Sequence, residues 1–208
     1  NEGTKQVFEA KGGDDFKIVK KYLIMKKEFV NGIRNVKIAK RLKGEKYDCL
    51  LNPKISGLLA HESFGHGMEA DTLCKNRALA SKYFGKKIGN NEINIVDYGN
   101  ILKKHGSIFF DCDGNLSSKT YLVKKGVVFS PIADLQSRTK LQVKKSCNSR
   151  QENFSHKSYV RMTNTYFEKG SKTKEELLSS IQNGIYITSS SGGMEDPKSW
   201  GVQIQDCF

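Results

Sequence analysis

The stretch that most constrains what this chain can fold into is GLLAHESFGHGMEAD, residues 57–71. An apolar run leads into His61 and Glu62, and a second histidine, His66, follows five positions after the first. An α-helix turns about 100° per residue, so residues at i and i+4 fall about 40° apart and residues at i and i+5 about 140° apart. The His-Glu-x-x-His spacing of zinc proteases keeps both imidazoles on one helical face. The spacing here turns them away from each other. If both rings are to reach one zinc ion at roughly 2 Å, the chain must leave α-helical geometry between them. A π-bulge would absorb the extra residue. Alternatively, the helix ends near Gly65 and His66 swings in from a loop. Gly65 and Gly67 flank His66 and permit either distortion. Two buried, hydrogen-bonded histidines with no ion are the plain alternative.

The neighbours favour an ion. Glu62 directly follows the first candidate ligand, where a general base can take a proton from an attacking water. The apolar SGLLA before it would exclude bulk water. Together these residues point to metal-assisted hydrolysis. Glu69 or Asp71 could hydrogen-bond the free nitrogen of a ligand imidazole, or both are solvated acids at a helix end. Cys74 is a further donor or a buried thiol. His156 could approach a metal or a substrate carboxylate, or sit in a surface loop.

The rest of the chain reads as α+β. KQVFEAKGG, residues 5–13, suits a strand. Asp14-Asp15 can open a helix, and Phe16, Val19, Leu23, Val30, Ile33 and Val36 continue it at helical spacing to about residue 42. Gly32 is a point of interruption and Gly44 a stop. Tyr47–Leu51 reads as a buried strand and Pro53 as a helix start. From residue 92 strand-like runs alternate with Gly, Asn and Lys: EINIVDYG, GSIFFDCDG, KTYLVKKGVVFSPI, YVRMTNTYF, GIYITSSSGG and WGVQIQDCF. Lys124-Lys125-Gly126 marks a hairpin turn. Thr173 with Glu176 forms a capping box ahead of Leu177, Leu178 and Ile181. Gly192-Gly193 suggests a turn with positive φ, Asp196-Pro197 another turn, and Trp200 a packing residue. The expected fold is therefore a mostly antiparallel sheet domain carrying a kinked metal-binding helix, preceded by a long helix.

Charge raises a rival function. The net charge is +13, yet only six of the 35 basic residues are arginine. Lysine excess without arginine reads as a solvated surface, so nucleic acid is not expected as a partner. A non-catalytic regulatory or scaffold subunit, binding nucleic acid or protein through this basic surface, is the alternative to an enzyme. Binding driven by phosphates weakens steeply with salt, which separates the two. The cysteines number five, with no CxxC pair, which fits a reducing cytoplasm. No apolar run is long enough to span a membrane. The first residues, Asn1-Glu2-Gly3, and the last, in a strand-like run, suggest a piece of a longer protein.

The histidine stretch resembles the metal-site helix of the TldD/PmbA family, metalloproteases also labelled modulators of DNA gyrase. Further segments are similar in the same order: KTYLVKKGVVFSPIADLQSRTKL with its strand pair, ENFSHKSYVRMTNTYFEKG (152–170) around an Arg-Met-Thr-Asn-Thr-Tyr motif, and EELLSSIQNGIYITSSSGGMEDPKSWGVQI (175–204) with a Gly-Gly-x-x-Asp-Pro stretch. The likeness covers about residues 47–208. It implies that 1–46 is the end of an N-terminal α/β domain and that 47–208 is a metalloprotease domain incomplete at its C-terminus. It also implies zinc as cofactor, His61 and His66 as ligands, Glu62 as general base, and a third ligand, a cysteine, beyond Phe208; Cys207 does not take that role. The histidine motif matches the catalytic type of subunit. Peptides or unfolded segments are the implied substrates, and a homodimer or a heterodimer with a related subunit the implied assembly. Arg161, Thr163 and Asn164 are candidate substrate contacts.

Overall fold

The computed structural model describes residues 16, 18–205 and 207. The strand expected over residues 5–13 and the cap at Asp14-Asp15 lie outside them. The first helix, α1, spans Ile18–Ile38. It passes through Gly32 without a break and ends before Gly44. Val30 and Ile33, two residues of its apolar spacing, are exposed.

Strand β1, Asp48–Leu51, pairs in parallel with β8, Gly184–Ile187. One residue separates β1 from α2, Pro53–Leu59, and that residue, Asn52, does two jobs. Its side-chain oxygen accepts from the Ile55 amide at 2.9 Å, capping the helix, and its amide donates to the Thr188 carbonyl at 2.6 Å. Pro53 occupies the first turn, where its missing N–H is no loss. The entry of the histidine-bearing helix is thereby tied to the end of β8.

The central sheet has the order β4-β3-β2-β7, antiparallel throughout, from Ile95–Asp97 (β2), Thr120–Lys124 (β3), Val127–Val128 (β4) and Thr165–Phe167 (β7). Lys125 and Gly126 turn β3 into β4, both with positive φ (50° and 72°), the two-residue hairpin geometry that follows strand twist. Short strands β5 (Ser149–Arg150) and β6 (Tyr159–Val160) pair with each other, as do β9 (Gly192–Asp196) and β10 (Gly201–Gln205). Ile55, Met68, Ile95, Leu122, Val123, Val128, Ile132 and Val160 are fully buried. Most of them form one core between the sheet and the segment after α2.

Four expectations change. Strand β1, read as buried, is not: Asp48 and Cys49 are exposed and Leu50 and Leu51 half-buried. The run 106–114 is not a strand: Phe109 and Phe110 are exposed, and the buried Asp111 carboxylate folds the segment back by accepting from the amides of Asp113, Asn115 and Ser149. A helix, α4 (Leu135–Leu141), stands inside the segment read as a strand pair; Asp134 and Ser137 close a reciprocal cap there with a serine where glutamate is usual. Gly192-Gly193 opens β9 rather than forming a turn, and neither glycine has positive φ; Trp200 does, at 57°. The Thr173–Glu176 box starts α5, Lys174–Ser179. A short helix, α3, covers Ala70–Cys74.

Candidate metal centre

Helix α2 runs without a break into a π-helical turn, Ala60–Gly65, and then a 3₁₀ turn, His66–Met68. The amide of His66 donates to the carbonyl of His61, five residues back. This wider turn takes up the residue that would otherwise carry the second histidine to the far side. The two imidazole rings lie 4.8 Å apart, centroid to centroid, with their planes nearly perpendicular at 89°. One donor atom each from His61, Glu62 and His66 lies within 4.8 Å of the others.

The π-turn is held from a distance. A π-turn leaves its later carbonyls without the usual partners, and a buried carbonyl needs one. The Trp200 indole N–H donates to the Ser63 carbonyl at 2.6 Å. Its ring packs edge-on against Phe64 and Tyr83, at 5.5 and 5.4 Å. On another side Gly65 lies against Met162, and a Cβ at Gly65 would overlap the Met162 sulfur. Gly65→Val should therefore lower stability by about 1–3 kcal/mol through overpacking. Urea denaturation checks this, and an unchanged midpoint would mean that Met162 swings clear at no cost.

Glu62 is buried, 9% exposed, and its side chain lies under β9: a Cβ at Gly193 would stand 2.8 Å from Glu62 Cγ. His61 is the more exposed of the pair. Partial desolvation of its ring, then the neighbouring His66, holds its pKa below the ordinary histidine value. His66 is held above that value, first by the Glu69 carboxylate, with burial opposing. Glu69 Oε1 lies 3.6 Å from His66 Nδ1. Glu195, on β9, favours the charged form of both rings. It had no local sequence signal, because the packing of β9 on the π-turn brings it here.

The donor set suits zinc. A tetrahedral zinc ion with bonds of roughly 2.0–2.1 Å needs its donors roughly 3.4 Å apart. Two imidazoles with a buried carboxylate beside them fit that ion in kind, and their donor atoms, within 4.8 Å of each other, must draw closer to bind it.

The other candidates fall into different places. Arg161 is half-exposed, with Nη1 donating to the Val160 carbonyl at 2.7 Å and lying 3.8 Å from Glu69 Oε2. The side chains of Thr163 and Asn164 engage the fold: Thr163 Oγ1 donates to Asp97 at 2.6 Å, and the Asn164 amide donates to Tyr98 O and Ser107 Oγ. Asp71 pairs with Lys75 at 3.7 Å. The Cys74 thiol faces the Ser137 carbonyl at 4.0 Å. His156 sits in an exposed loop against Asn153. Among the described residues no helix is long and apolar enough to cross a membrane.

Residues 44–205 match the PmbA/TldA metallopeptidase C-terminal domain. The chain is similar to a metalloprotease of Methanocaldococcus jannaschii, 29% identical over 189 residues, 90% of this chain and 42% of that protein. It is similar to a zinc metalloprotease TldD homolog of Saccharolobus solfataricus, 28% identical over 163 residues, 76% of this chain and 36% of that one. Among solved structures it resembles a candidate modulator of a DNA gyrase from Thermotoga maritima, with a TM-score of 0.63 and 25% identity over 74% of this chain and 34% of that chain. The chain thus spans less than half the length of these relatives.

Proposed function

Because the chain belongs to the PmbA/TldA metallopeptidase family, we propose that it is the catalytic part of a zinc-dependent peptidase, with His61 and His66 as ligands and Glu62 as general base. The observation that carries this reading is the π-turn, which draws donor atoms of His61, Glu62 and His66 to within 4.8 Å. Zinc supplies a Lewis acid that polarises the scissile carbonyl and acidifies water. The two imidazoles bind through neutral nitrogens, and the lowered pKa of His61 favours the neutral form of its ring. Glu62, buried beside Gly193, takes the proton of the attacking water and returns it to the leaving amine. A third ligand, a cysteine beyond Phe208, belongs to the same proposal, since catalytic zinc takes three protein ligands.

The substrates are peptides or unfolded protein segments, and the assembly is a homodimer or a heterodimer with a related subunit in the cytoplasm. Arg161 borders the substrate path, while Thr163 and Asn164 brace that wall from within through Asp97, Tyr98 and Ser107. The test is zinc stoichiometry by elemental analysis of the whole protein, wild type and His66→Ala. Near one zinc per chain, lost in the variant, is expected; a wild type that takes up no zinc on loading would overturn the reading.

A further inference from the structure

We propose that Glu69 is the positioning residue of this centre: its carboxylate takes the Nδ1–H of His66, leaving Nε2 for the ion, while Arg161 holds the other carboxylate oxygen. The inference rests on the zinc reading above. Glu69 is only 6% exposed, and its Oε1 has no hydrogen-bond partner. A buried acceptor without a donor is costly to keep, so this atom calls for one. His66 Nδ1 lies 3.6 Å away, just beyond hydrogen-bond length. A small rotation of the imidazole closes that gap and fixes its tautomer.

The carboxylate is itself held. Glu69 has extended backbone and bridges to Ile132: the Ala70 amide donates to the Ile132 carbonyl at 2.9 Å, and the Ile132 amide to the Met68 carbonyl at 3.1 Å. Arg161 faces Oε2 at 3.8 Å, with its guanidinium over the Tyr159 ring at 5.5 Å and its backbone amide on Asn148 O. Asp71, the other acid near the motif, pairs with Lys75. A carboxylate behind a ligand imidazole sets ring orientation and raises ligand basicity, and its loss weakens metal binding by about 10–100-fold.

The experiment uses the whole protein as wild type, Glu69→Ala, Glu69→Gln and Arg161→Met. Zinc affinity is read by competition with a chromophoric chelator, and the His66 tautomer of the zinc-free protein by nitrogen-15 NMR. Glu69→Ala should bind one zinc about 10–100-fold more weakly and lose the Nδ1–H preference. Glu69→Gln, whose amide oxygen still accepts, should lose less, and Arg161→Met should weaken zinc without changing stoichiometry. If Glu69→Ala does not fold, Glu69→Gln and the exposed Arg161→Met carry the comparison. Equal zinc affinity in wild type and variants would overturn the positioning role and leave the zinc reading intact. Stoichiometric loss of zinc would make Glu69 a ligand and overturn it as well. No zinc in the wild type would overturn both readings.

Discussion

Glu62→Gln is expected to slow peptide hydrolysis by about 10²–10⁴-fold, the usual contribution of a general base, with zinc content unchanged. Glutamine keeps the length and packing of the side chain beneath Gly193. Its amide cannot take a proton. The variant separates chemistry from folding, because the histidines and the π-turn are untouched. The assay is turnover of an unstructured peptide by zinc-loaded protein, with metal measured on the same samples. Undiminished turnover would sink the role of Glu62 as base. Loss of zinc along with activity would make it a ligand.

The largest effect on stability is expected at Asp97. This buried carboxylate, 2% exposed, accepts from Asn148 Nδ2, the Thr163 amide, Thr163 Oγ1 and Thr165 Oγ1 at 2.6–2.9 Å. Asp97→Ala strands these donors. Each unsatisfied buried group costs about 1–3 kcal/mol, so a loss of about 3–5 kcal/mol is expected after partial relaxation. Asp97→Asn should cost less, since one side-chain oxygen still accepts. Chemical denaturation reads both, and a loss below about 1 kcal/mol for alanine would mean that water replaces the carboxylate. Because Thr163 follows Met162, which packs on Gly65, the same substitution should loosen the wall behind the histidines.

Much of the local structure was legible where signals are local. Pro53 starts α2, Lys125-Gly126 turns β3 into β4, and Thr173 with Glu176 caps α5. Each depends on residues no more than a few positions apart. The run through Phe109 and Phe110 misled for the converse reason. Its composition suits a strand, but the Asp111 carboxylate draws nearby amides into turns and the amide of Ser149 with them. Helix α4 went unseen because its cap uses Ser137 where the familiar pattern has an acid or amide.

At the histidines, the sequence by itself determined a conflict: two imidazoles five residues apart cannot share an ion on a straight helix, and glycines at 65 and 67 leave the backbone room to yield. It determined the family through separated motifs in order, and the chemical types at the centre. Which way the backbone yields was decided by tertiary structure. A π-turn is a poor local minimum, so contacts from elsewhere must hold it. Trp200 occupies the Ser63 carbonyl from 137 positions away, and Met162 fills the space that a side chain at Gly65 would need. Glu69 lies only three positions from His66, but its pairing with Arg161 likewise needed β6 beside α3. Spacing sets the angle between two side chains on a helix, but only packing can hold a backbone that is locally unfavourable.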